Sequence, residues 1–212
     1  MEKRKVCVYC GSSRQCDPVY LKAAEQLGRV LARNSFTVVY GGGAAGSMKH
    51  LADGVMAEGG RVVGIIPEFM VELEWVNPRI PETIVVRDMH ERKKRMIEGV
   101  DAVIALPGGC GTLEELMEAI TWKRLGLYLG AIVILNTQSF YQPLIHLLDR
   151  CIGERFMDSR HAGMWSIVGE PEDVPQAISA AAPWSEDCRS FAALRLIEQS
   201  TRRLPRPAGL RD

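Results

Sequence analysis

Val103 to Leu125 reads V-I-A-L-P-G-G-C-G-T-L-E-E-L-M-E-A-I-T-W-K-R-L, and the fold turns on how this stretch is taken. Val103 to Leu106 is a short apolar run suited to a strand, and Gly108, Gly109 and Gly111 break it. An amphipathic helix is expected to begin at Thr112, with acidic residues in its first turn. A strand that enters a glycine turn and leaves as a helix gathers several backbone N–H groups at the positive end of a helix dipole. Glycine lets an anion approach them closely. The stretch therefore reads as a phosphate cradle. Glu114 and Glu115 either favour the dipole or face an uncharged part of the ligand, such as sugar hydroxyls or a water to be activated.

Outward from this stretch, strands and helices alternate. Lys5 to Cys10 is an apolar strand ending in the turn Gly11, Ser12, Ser13, and Pro18 opens a helix that runs to about Arg33. Phe36 to Tyr40 is a second strand. Gly41, Gly43 and Gly46 after it satisfy G-x-G-x-x-G, and a helix follows from Ser47 to about Glu58. The strand Arg61 to Ile66 leads into an irregular connection from Pro67 to Pro81 that contains Glu68, Glu72 and Glu74. Thr83 to Arg87 is a strand, and Asp88 caps a helix from Met89 to about Glu98. That helix opens with the cationic run Arg92, Lys93, Lys94, Arg95, which requires something anionic opposite it. Beyond the central stretch come a strand at Ala131 to Leu135, a helix at Phe140 to about Ile152, a strand at Ser166 to Val168 and a helix at Glu172 to Ala181. The pattern predicts an α/β fold, a Rossmann-like doubly wound parallel sheet with helices on both faces and ligands at the strands' carboxyl ends. The expected division is a nucleotide-binding catalytic domain over residues 1–182 and a helical extension with a flexible tail over residues 183–212. Phe191, Leu194, Leu196 and Ile197 set the apolar face of that extension.

Bulk properties narrow the partners. With 26 Lys and Arg against 26 Asp and Glu, no basic field points to nucleic acid, and no apolar segment is long enough to cross a bilayer. The expected setting is cytoplasmic and the expected ligand a small molecule. The six cysteines are scattered through apparent strands and helices, so reduced thiols are expected and no metal site is assigned. Cys110 in the glycine loop has no identifiable partner base.

Pro107, Gly108, Gly109, Cys110, Gly111, Thr112, Leu113, Glu114 and Glu115 match P-G-G-x-G-T-x-x-E, and Met89 to Lys93 match M-x-x-R-K. The paired motifs resemble the Lonely Guy family of cytokinin-activating phosphoribohydrolases, whose members have often been labelled lysine decarboxylases. The resemblance covers roughly Lys5 to Ala181. It implies hydrolysis of the N-glycosidic bond of an adenosine 5′-monophosphate, N6-substituted or not, without a cofactor and by a homodimer. Carried onto this chain, it implies Arg92 and Glu115 as catalytic residues. Substrate contacts would come from Gly11, Ser12, Gly42, Gly43, Met89, Lys93 and the run from Pro107 to Glu115, with Cys110 at the variable position. Glu74 is added by rough alignment to the family, and the resemblance implies a contact from Thr121 in a neighbouring part of the pocket. One departure stands out: family members commonly continue the second loop as G-x-M-G, whereas this chain reads Gly46, Ser47, Met48, Lys49, His50. Two other classes remain open, a nicotinamide-dependent oxidoreductase using Gly41 to Gly46 with Glu68, and a non-catalytic nucleotide-binding protein.

Overall fold

The computed structural model describes residues 4–73 and 75–192. Seven strands form one all-parallel sheet: β1 (Lys5–Tyr9), β2 (Thr37–Tyr40), β3 (Arg61–Pro67), β4 (Glu82–Val86), β5 (Ala102–Ala105), β6 (Ala131–Leu135) and β7 (Ser166–Val168). Their order across the sheet is β4-β3-β2-β1-β5-β6-β7. The chain therefore winds outward in one direction from β1 to β4, then returns to β5 beside β1 and winds the other way. The crevice at this reversal, between β1 and β5, is where such sheets bind ligands.

The inner strands β1, β2, β3, β5 and β6 are nearly continuous buried runs because both faces of the sheet are covered there, whereas the edge strands β4 and β7 are partly exposed. One face packs Val6, Val8, Val38, Ile104 and Val133 beneath α1 (Pro18–Arg33), α2 (Gly46–Ala57) and α7 (Val174–Ala180). The other packs Cys7, Val39, Val103 and Ile132 beneath α4 (Met89–Ile97), α5 (Cys110–Arg124) and α6 (Gln142–Gly153). Local signals set the helix starts. Asp17 accepts from the Val19 amide at 2.9 Å ahead of Pro18, and the Asp88 carboxylate accepts from the His90 and Glu91 amides, both at 2.9 Å.

Two expectations are corrected. The connection after β3 is not wholly irregular: Glu68–Glu72 form a short helix, α3, and the chain beyond it is pinned to the glycine loop by an isolated bridge between Gly43 and Val76. Furthermore, α5 starts at Cys110, two residues before Thr112, so no acidic residue lies in its first turn. A dipole-favouring role for Glu114 and Glu115 weakens accordingly, because the effect fades beyond the first turn.

Past α7, the described part of the extension wraps the far end of α5. The Trp184 indole N–H donates to the Lys123 carbonyl at 2.8 Å, and Arg189 Nε donates to the Leu125 carbonyl at 3.1 Å. These contacts satisfy carbonyls that a helix end leaves open. The helical pattern expected at Leu194, Leu196 and Ile197 lies outside the described residues.

Candidate active site

A cavity of about 540 Å³ opens at the carboxyl ends of the central strands. Three turns and four helices, α2 to α5, contribute to it. The turn after β1 contributes Gly11, Ser12 and Arg14, the turn after β2 contributes Gly41 and Gly43 to Ala45, and the turn after β5 contributes Gly109 to Thr112. Helix α4 presents Met89, Arg92 and Met96, and α5 presents Glu114 and Glu115.

Helices α2 and α5 both start at this cavity, and neither has a side-chain cap: Ala45 and Gly109 occupy the capping positions. The first amides of each helix lack helical acceptors and put partial positive charge at the cavity's edge, although in α2 the Met48 amide is taken by the Gly11 carbonyl at 3.3 Å. Glycine is required in the second turn at Gly46, whose φ is +56° and whose added Cβ would lie 2.4 Å from the Ser13 carbonyl oxygen. Two bare helix starts around one crevice suit an anion or a group dense in acceptors.

The same cavity holds a buried ion pair. Arg92 Nη1 is 3.6 Å from Glu115 Oε1, and both residues are only 8% exposed. The remaining guanidinium nitrogens are fixed to the backbone, Nε donating to the Ile65 carbonyl at 3.1 Å and Nη2 to the Gly41 carbonyl at 3.0 Å. A Cβ on Gly41 would lie 2.2 Å from Nη2, so only glycine leaves room for the guanidinium. Burial raises the Glu115 carboxyl to about 7, and the opposing pull of Arg92 does not cancel it. A carboxyl that changes charge near neutrality, at the floor of a cavity, is equipped to move a proton or to steady a developing cation.

Of the residues expected in the site, Gly11, Ser12, Gly43, Met89, Arg92, Gly109, Cys110, Gly111, Thr112, Glu114 and Glu115 line the cavity. Others support it from behind. Gly42 takes a left-handed φ of +76° and its carbonyl accepts from the Asn77 amide at 2.9 Å. Gly108 packs on Thr112, Pro107 is buried and Leu113 packs into the core. Lys93 does not reach the cavity: its ammonium pairs with Glu114 and with Glu118, the latter at 3.3 Å. The anionic counterpart required by the basic run is therefore α5 itself. Thr121 is exposed on α5 outside the cavity, its hydroxyl donating back to the Met117 carbonyl at 2.8 Å, and Glu74 lies outside the described residues. Glu68 also lies outside the cavity, so the acidic residue expected for dinucleotide ribose is missing from it. Lys49 pairs with Asp53 at 2.5 Å and the His50 ring bonds the Gly46 carbonyl at 2.9 Å, so both are ordinary helix residues set away from the cavity.

Sequence reasoning missed the apolar wall. Met48, Ile66, Met70 and Trp75 line the cavity, and Trp75 is held there by its carbonyl, which accepts from the Ala44 amide at 3.1 Å. Among the described residues no three His, Cys, Asp or Glu side chains cluster as metal ligands, and no helix is long and apolar enough to cross a membrane.

Comparison with known proteins agrees with this geometry. The family described as "Possible lysine decarboxylase" matches residues 48–178. A cytokinin riboside 5′-monophosphate phosphoribohydrolase of Arabidopsis thaliana is 42% identical over 154 residues, covering 73% of this chain and 71% of the relative. A probable enzyme of the same name from Oryza sativa is 36% identical over 183 residues, covering 86% and 75%. Among solved structures, a molybdenum cofactor binding protein from Rippkaea orientalis superposes with a TM-score of 0.66 at 25% identity, covering 85% of this chain and 98% of that one. The molybdenum cofactor carrier protein of Chlamydomonas reinhardtii does so at 0.65 and 20% identity, covering 84% and 97%, and shares the fold. With the P-G-G-C-G-T-L-E-E turn forming one rim of the cavity and the M-H-E-R-K helix placing Arg92 against Glu115, the chain belongs to the Lonely Guy family of phosphoribohydrolases.

Proposed function

We propose that the protein hydrolyses the N-glycosidic bond of an adenosine 5′-monophosphate, preferably N6-substituted, to free base and ribose 5-phosphate. The observation that carries this reading is the buried Glu115 carboxyl facing the same cavity as two uncapped helix starts. The amides at the start of α5 hold the 5′-phosphate, which leaves the ribose toward Glu115. As the bond to the base lengthens, the ribosyl ring gains oxocarbenium character. The Glu115 carboxylate offsets that charge and orients or deprotonates the attacking water, whose oxygen bonds the anomeric carbon while the departing base keeps the bonding pair and takes up a proton at the ring nitrogen. Arg92 holds the carboxylate in place, its own position fixed by two backbone carbonyls. Met48, Met70 and Trp75 give the base an apolar wall with room for an N6 substituent.

The test is product analysis. Incubation with AMP and with an N6-alkylated AMP is expected to release base and ribose 5-phosphate in equal amounts, with the alkylated substrate turned over at higher kcat/KM. Binding without base release would instead indicate a carrier or sensor, the reading that the cofactor-binding structural neighbours favour. Lysine decarboxylation has little support, since among the described residues no lysine lines the cavity. Gly41→Ala is expected to push the Arg92 guanidinium off its seat and to lower kcat/KM on the order of 10²-fold, as a displacement of about 1 Å near a reacting centre does. Steady-state kinetics beside a thermal melt separates this from misfolding.

The proposed setting is the cytoplasm and the proposed assembly a homodimer. Met117, Leu125, Leu127 and Leu129 on and after α5 remain exposed, a surface that a second copy would cover. Light scattering after gel filtration is expected to give twice the chain mass of 23.5 kDa.

A further inference from the structure

The charges around the cavity leave the phosphate without an obvious cationic partner. Arg92 spends Nε and Nη2 on backbone carbonyls and turns Nη1 to Glu115, and Lys93 is taken by Glu114 and Glu118. Two carboxylates, Glu114 and Glu115, line the cavity as well. A phosphate bound there by amides alone would sit beside net negative charge. One further cation lines the cavity, Arg14 in the turn between β1 and α1. It is exposed, and among the described residues its guanidinium makes no ion pair and no hydrogen bond.

The turn that carries Arg14 is wedged between the two uncapped helix starts. On the α5 side, a Cβ on Gly11 would lie 3.4 Å from Gly108 Cα. On the α2 side, the Met48 amide donates to the Gly11 carbonyl at 3.3 Å and Ser13 abuts Gly46. The backbone of this turn is thus held against both helix starts, while the exposed Arg14 side chain lines the cavity beside them. A long side chain on a fixed base, with no competing acid, swings onto a bound anion at little cost in lost pairing, and its planar fork matches phosphate oxygens.

We infer that Arg14 is the cationic clamp for the substrate's 5′-phosphate, and that Arg92 and Lys93 are not. The inference rests on the phosphoribohydrolase reading for the identity of the anion. Arg14 acts as a positioning residue, setting the preference for nucleotide over nucleoside.

The experiment compares wild type with Arg14→Ala and Arg14→Lys in two measurements. The first is equilibrium binding of ribose 5-phosphate by calorimetry, which requires no turnover. The second is kcat/KM for AMP against that for adenosine. Arg14→Ala is expected to weaken ribose 5-phosphate binding about 10- to 100-fold, the range for a hydrogen bond to a charged group, and to lower kcat/KM for AMP in step while leaving adenosine unchanged. Arg14→Lys is expected to recover part of both losses. Unchanged ribose 5-phosphate affinity in Arg14→Ala, or equal losses on AMP and adenosine, overturns the assignment. Failure of the hydrolase reading looks different: wild type then binds ribose 5-phosphate in an Arg14-dependent way but releases no base. Wild type that does not bind ribose 5-phosphate at all sinks both.

Discussion

Glu115→Gln is expected to lower turnover on the order of 10²- to 10³-fold and, above neutral pH, to leave the protein more stable than wild type. The two effects share one cause. Burial holds the carboxyl at about 7, well above the 4.5 of a free glutamate, so the folded chain resists the ionised form that the chemistry needs. The unfolded chain loses this proton near pH 4.5 and the folded chain near 7. Stability from this group is therefore complete below 4.5, falls as pH rises through about 7, and is lowest beyond it. The difference amounts to about 3 kcal/mol. Glutamine keeps the neutral form at every pH and avoids that loss, so its melting temperature should match wild type at pH 4 and exceed it at pH 8 by several degrees. Activity runs the other way. In wild type kcat/KM is expected to rise with pH through about 7, because only the carboxylate can offset a ribosyl cation or accept a proton from water. An acid limb near 4.5, or a glutamine variant with full turnover, would remove Glu115 from the chemistry.

Much of this fold is legible in the sequence because parallel strands covered on both faces must be continuous apolar runs. Ala131 to Leu135 shows it plainly, and there strand and apolar run coincide. The alternation with helices then fixes the sheet type and the edge at which ligands bind. What could not be read depends on how elements meet. The basic run at Arg92 and Lys93 looks like one electrostatic feature, yet the register of α4 on α5 pairs Arg92 with Glu115 at the cavity and Lys93 with Glu114 and Glu118. Met70 and Trp75 carry no motif, because an apolar side chain looks the same whether it faces a core or a ligand. Cys110 and Gly111 disguise the start of α5, since glycine counts against a helix everywhere except at such an end. Arg14 gave no signal either, for an arginine in a polar turn is ordinary until its surroundings are known.

Removing Arg92 is expected to damage folding and catalysis together, and the two losses can be told apart. Its guanidinium does three things at once: it donates to the Ile65 and Gly41 carbonyls and faces the Glu115 carboxylate. Arg92→Ala strips both carbonyls of their donor and leaves a carboxyl buried without a counter-charge, a change that typically costs about 3–5 kcal/mol. Denaturant melts at pH 8 should show that loss. Part of it should disappear at pH 5, where the stranded carboxyl of the variant takes up a proton and no longer needs the cation. Arg92→Lys keeps a positive charge but, as a single point, cannot reach both carbonyls and the carboxylate from one position. That variant is expected to fold, to lose turnover on the order of 10²-fold, and to shift the acid limb of its pH profile above about 7, because a less closely held cation lowers the Glu115 carboxyl less. Combining Arg92→Lys with Glu115→Gln completes the comparison. If Arg92 works by holding the carboxylate, the double variant should be little worse than Glu115→Gln alone, the non-additivity expected of groups acting as one unit. Losses that simply multiply would mean that Arg92 touches the substrate independently.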